Sequence, residues 1–230
     1  MARRKSKKDQ SDTLVDLVEA REHAQDFVDR NQNLIFGALA AVVLIAGGIF
    51  AYNNFFKKPK QKEALGQMWK AEQQFQQDSF ALALTNPGVD YDGFQQLVED
   101  YGSVPSGNAA TYYAGISYLH LGEFDAAISY LNDVDAEGEV LPIMKYGALG
   151  DAYSEKGEFD KALSNYKKAV SAADNEALTP IYLMRLGMLN EKQGNLGEAR
   201  KAYERVKKEY ATSTLARDAA KYLVRLGAEG

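Results

Sequence analysis

His23 and His120 are the only histidines in 230 residues, and cysteine is absent. Thiol nucleophiles, disulfides and thiolate metal sites are thereby excluded, and a zinc site built from several histidines of one domain has no ligands. No phosphate-binding loop, dinucleotide fingerprint or Gly-x-Ser-x-Gly elbow occurs. Carboxylates are plentiful, but Glu123, Asp125, Glu158 and Asp160 fall at turns that open helices. There an acidic side chain complements the helix N-terminus, which is its commoner use than general acid/base work. The sequence predicts no catalytic residue, no metal site and no cofactor. The chemistry left is non-covalent binding, and its residues must be placed by the elements around them.

Charge is unevenly spread along the chain. Residues 1–62 hold 11 Lys+Arg and 7 Asp+Glu, a net +4, which leaves 16 basic and 25 acidic residues beyond, a net −9. A nucleic-acid role for the acidic part is disfavoured, because phosphates need a basic face.

Between Arg30 and Lys57 no side chain is charged, and an apolar stretch runs from Leu34 to Tyr52. Nineteen helical residues span about 28 Å, close to the thickness of a bilayer's hydrocarbon core. The stretch starts too far from Met1, and is too long, for the apolar region of a cleaved signal peptide, so an uncleaved anchor is expected. The expected division is a basic and amphipathic leader at 1–33, a transmembrane helix with its interfacial anchor at 34–56, and a large domain at 57–230. Arg3, Arg4, Lys5, Lys7 and Lys8 favour a cytoplasmic start, whereas Lys57, Lys58, Lys60 and Lys62 pull the other way. Seven basic residues before the span against four after it tilt the positive-inside rule towards a C-terminal domain outside the membrane. In the leader, Leu14, Leu17, Val18, Ala24, Phe27 and Val28 recur at helical spacing, and Thr13 with Asp16 resembles a capping box. A helix lying on the inner surface and a solvated one fit that pattern equally.

One register repeats three times beyond the span. Gly115, Gly150 and Gly187 are followed after seven residues by Gly122, Gly157 and Gly194, and after five more by Ala127, Ala162 and Ala199. Constant internal spacing with a variable period places the insertions in connections between copies. Each copy predicts two antiparallel helices. The first glycine marks a close approach, with the alanine facing it, and Tyr118 and Tyr153 fill the space beside it. The second glycine supplies the left-handed turn that ends the first helix.

Leu149-Gly150, Tyr153, Gly157-Glu158-Phe159, Ala162, Tyr166 and Ala169 resemble a tetratricopeptide repeat. Gly115, Tyr118, Gly122-Glu123-Phe124 and Ala127 resemble a second copy, and Leu186-Gly187, Gly194, Ala199 and Tyr203 a third. Thr111, Tyr146 and Leu183 stand where the family usually has Trp, Asn190 replaces a Tyr, and Val134 and Val206 replace an alanine. The fold implied is an all-α solenoid with repeats at 108–141, 143–176 and 180–211. Tyr222-Leu223-Val224-Arg225-Leu226-Gly227 repeats Tyr182-Leu183-Met184-Arg185-Leu186-Gly187 at five of six positions. Residues 212–227 therefore read as a capping helix. Leu65-Gly66 with Trp69, then Phe94, Leu97 and Tyr101, resemble a degenerate pair over 61–104, broken at Asn86-Pro87-Gly88.

In that family the first helix of each repeat lines a groove. Projected here, the resemblance implies a protein- or peptide-binding surface of Tyr112, Ile116, Leu119 and His120, then Met144, Gly147, Asp151 and Glu155, then Ile181, Met184, Met188 and Glu191. Methionine suits an adaptable apolar groove. Cover by the degenerate N-terminal helices is the competing expectation. The Lys and Asn with which one subclass grips C-terminal carboxylates are missing.

An anchor followed by an acidic repeat domain is similar to the bacterial ancillary subunit of the Sec translocon. That resemblance implies a single-pass inner-membrane protein with periplasmic repeats, whose partners are translocon components, a periplasmic chaperone or client chains. Tyr101-Gly102-Ser103-Val104-Pro105-Ser106 with Tyr112 and Gly115 also resembles the Tol-Pal cell-division coordinator, although that protein keeps no anchor. A cytoplasm-facing assembly receptor is the alternative that the lysines after the span permit.

Overall fold

The computed structural model describes residues 21, 25, 27–86 and 91–228. The basic start, Thr13, Leu14, Asp16, Leu17, Val18, His23, Ala24 and the Pro87-Gly88 break lie outside the described residues. Among the described residues all regular structure is helical, with no strand. The chain divides into two compact units, Met1–Pro59 and Lys60–Gly230.

In the first unit, α1 (Gln32–Tyr52) is uncharged and buries no residue, and Leu44 is 76% exposed. By length and composition alone it could cross a membrane. A π-helical turn follows over Asn53–Lys57. Pro59 has no N–H to give to the carbonyl of Phe55, and its ring crowds that carbonyl, so the backbone widens there.

The second unit contains most of α2 (Lys58–Gln76), then α3 (Phe80–Leu84), α4 (Phe94–Tyr101), α5 (Pro105–His120), α6 (Phe124–Asp133), α7 (Val140–Glu155), α8 (Phe159–Ala172), α9 (Thr179–Lys192), α10 (Leu196–Glu209) and α11 (Leu215–Ala228). On α2 the packed stripe is Ala64, Met68, Ala71 and Phe75, at the i, i+4, i+7 spacing of one helix face. Leu65 and Trp69, expected to resemble a repeat's packed helix, are 54% and 62% exposed, and Gly66 meets no neighbouring atom. Small Ala and flexible Met let α2 settle beside Phe94, Leu97 and Ala110, which turns the Leu65 and Trp69 face outward.

Helices α5/α6, α7/α8 and α9/α10 form three hairpins, and α11 packs on the last. Each first helix ends in the same way. Gly122, Gly157 and Gly194 have φ of +78°, +76° and +76°. The N–H groups of Glu123, Glu158 and Asn195 reach back to the carbonyls of Tyr118, Tyr153 and Asn190 at 2.9, 2.9 and 2.8 Å. Those six-residue closures satisfy carbonyls that a helix end would otherwise leave bare.

The close approach also falls at the expected glycines, but its partner differs. A β-carbon at Gly150 or Gly187 would collide with the ring of Tyr166 or Tyr203, and one at Gly115 with the side chain of Leu131. Ala127, Ala162 and Ala199 are buried one helical turn earlier. A glycine opens a seat large enough for an aromatic ring, and the bulky residue a turn beyond the alanine fills it. The core continues through Ile143, Leu183, Tyr203 and Val206 to Leu226 of α11.

Candidate binding groove

The middle of α5 and the N-terminal half of α7 place Tyr112, Ile116, Leu141 and Met144 around an apolar cavity of about 460 Å³, bordered by Phe75 of α2. Phe75 is held edge-on against Tyr113 and Phe94, with ring centres 5.1 and 6.2 Å away. The N-terminal helices therefore form a wall of this cavity and leave it open. Burial pushes the Tyr112 hydroxyl well above its ordinary range, so it stays a neutral donor.

The C-terminal halves of the same two helices border a second, more polar cavity of about 560 Å³. Leu119 and His120 come from α5, Asp151, Ser154 and Glu155 from α7, Tyr166 from α8 and Arg185 from α9. His120 is stacked under Phe80 of α3, ring centres 4.2 Å apart and planes 2° from parallel. One imidazole face is thus covered. Asp151 accepts a hydrogen bond from the Tyr166 hydroxyl at 2.7 Å and pairs with the Arg185 guanidinium. Arg185 also lies over Tyr182, 5.4 Å from its ring centre. Burial lowers the Arg185 pKa from its ordinary value, but a guanidinium remains charged.

The arrangement recurs one repeat later. Glu191 accepts from the Tyr203 hydroxyl at 2.9 Å and from Arg225 at 2.5 Å, and Arg225 lies 4.6 Å from the centre of the Tyr222 ring. An acid on one first helix thus ties together the tyrosine of its own second helix and the arginine of the next first helix. Met184 and Met188 border a third cavity of about 640 Å³ with Leu215, Tyr222 and Arg225. Met184 is only 5% exposed, whereas Met188 is open and receives the Tyr222 hydroxyl at 3.6 Å from its sulfur. Ile181 is exposed on α9. Gly147, projected into the groove, seats the Tyr182 ring.

The structure thus brings Tyr112, Ile116 and Met144 to the first cavity, Leu119, His120, Asp151 and Glu155 to the second, and Met184 and Met188 to the third. Glu191 is engaged in a tie between helices. Sequence reasoning passed over Arg185 and Arg225. Their signal was present in the duplicated Tyr-Leu-x-Arg-Leu-Gly, whose arginine is kept at the same place in both copies. Among the described residues no group of three His, Cys, Asp or Glu side chains is placed to hold a metal ion.

The family model of the tetratricopeptide repeat matches residues 94–140 and 148–214. These are tetratricopeptide repeats. Among curated proteins none matches the chain. Such repeats imply a scaffold for protein–protein interaction, and domains built from them are generally non-catalytic. Tetratricopeptide first helices here carry two adjoining cavities of opposite character, one apolar and one polar.

Proposed function

We propose that this chain is a single-pass scaffold of the bacterial inner membrane, which holds a tetratricopeptide groove in the periplasm beside the Sec translocon or a periplasmic chaperone. The observation that carries the binding half is the open apolar cavity of Tyr112, Ile116, Leu141 and Met144, large enough for a bulky side chain of a partner. Support for the anchor is α1, a 21-residue uncharged helix whose side chains bury nothing. Apolar surface of that extent is costly in water and at ease in lipid. Tyr52, Phe55 and Phe56, followed by Lys57 and Lys58, have the order expected at a membrane interface.

Fusions of alkaline phosphatase and of a fluorescent protein at Gly230 test the orientation. Active phosphatase with a dark fluorophore is the expected result. The reverse pattern would support the second reading, a cytoplasm-facing assembly receptor, which Lys57, Lys58, Lys60 and Lys62 favour. Release of the unfused protein from membranes without detergent would contradict both.

A further inference from the structure

The two neighbouring cavities differ in chemistry, and that difference specifies a partner. Tyr112 lies about two helical turns, and Ile116 about one, before Leu119 and His120 on α5, and Met144 lies eleven residues before Glu155 on α7. At about 1.5 Å per residue, the apolar and polar ends are about 16 Å apart along α7. An extended chain covers that length with about five residues.

At the apolar end no charged side chain borders the cavity: Phe75, Tyr112, Ile116, Leu141 and Met144 make up its surface with neutral neighbours. At the polar end the charged groups are Asp151, Glu155 and Arg185. The Arg185 charge is spent on Asp151, which also holds the Tyr166 hydroxyl. Lys156, next in sequence to Glu155, is drawn away to Asp125 and Glu158. Glu155 is exposed and takes part in no ion pair among the described residues. It is also the last residue of α7, and α5 ends at the same cavity, so the negative ends of two helices add to its charge. A cation is favoured there, and an anion would meet Glu155 unscreened by any partner.

We infer that the groove takes an extended protein segment carrying a bulky apolar side chain about five residues from a Lys or Arg. The apolar residue enters between α5 and α7 against Phe75, and the basic one meets Glu155. This rests on the groove reading above and adds a sequence preference to it.

The test uses the full chain in detergent micelles and fluorescent decapeptides with a Gly-Ser background. One set carries Phe and Arg five residues apart in either order, a second replaces Arg by Glu, and a third replaces Phe by Ser. The expected result is binding of the Phe/Arg peptides about fivefold or more tighter than the Phe/Glu peptides, the scale of one partly screened ion pair. Glu155→Lys should reverse that preference without changing helicity, and Ile116→Asp should weaken every Phe peptide. An Arg preference that survives Glu155→Lys, or no preference at all while Ile116→Asp still weakens binding, overturns the inference and leaves the groove in place. Binding that ignores both substitutions, or the absence of binding by every peptide, overturns the groove reading as well.

Discussion

Gly150 and Gly66 are both helical, yet an added methyl group meets opposite surroundings at the two positions. At Gly150 it runs into the Tyr166 ring, which is fixed by its hydroxyl bond to Asp151, whereas at Gly66 it meets open space. Gly150→Ala should cost about 1–3 kcal/mol of stability through overpacking. Gly66→Ala should gain up to about 1 kcal/mol through helix propensity. Denaturant unfolding followed by circular dichroism reads both, and equal effects would contradict the seat. A second residue-scale expectation concerns alkali. Burial, then the hydrogen bond to Asp174 at 2.5 Å, pushes the Tyr210 hydroxyl from 10 up to about 12. The folded state thus holds this proton more tightly than the unfolded chain. Its contribution is full below pH 10 and is lost as pH rises towards 12. Tyr210→Phe should flatten the fall of stability in that window, measured by chemical unfolding at a series of pH values. The positive-φ glycines 122, 157 and 194 are legible in the sequence because a left-handed turn is a local demand on one residue. The seat of Tyr166 is not, because spacing along one helix does not say which turn of the facing helix comes nearest.

Among the elements, α11 closes the described stack and packs on α9 and α10. It is attached by the stack of Tyr222 on Tyr203, with ring centres 5.0 Å apart, by Leu226 in the core and by the Arg225 to Glu191 tie. In a stack of repeats each unit depends mainly on its neighbours, so damage at the end stays at the end. Tyr222→Ala should therefore raise amide exchange in α11 and the exposed parts of α10, with α7 and α8 keeping their protection. Uniform loss of protection would show a more cooperative unit than this packing implies. The docking of α11 is legible because its sequence copies a first helix almost letter for letter. The face of α2 is not. Leu65 and Trp69 look like core by composition, but the Ala64, Met68, Ala71 stripe fits closer to α4 and α5, and packing distance outweighs the hydrophobicity of single residues.

On the scale of the whole molecule, an acidic repeat unit follows an apolar helix in one chain. By length and composition that helix could cross a bilayer, and the repeats carry cavities along their first helices. The repeat pattern was legible at 108–141, 143–176 and 180–211, which overlap the stretches that the family model matches, residues 94–140 and 148–214. The division of the groove into an apolar and a polar end was not, since it depends on Phe75 and Arg185, which come from α2 and α9 to border cavities on α5 and α7. The account stands most directly on where partners touch. A photocrosslinking amino acid placed in native membranes at Ile116, at Glu155 and at Lys167, an exposed position on α8, reads this out with the adducts identified by mass spectrometry. Adducts to translocon components, chaperone or emerging client chains from Ile116 and Glu155, with none from Lys167, are predicted. Equal adducts from all three positions, or adducts from Lys167 alone, would contradict a scaffold that works through this groove.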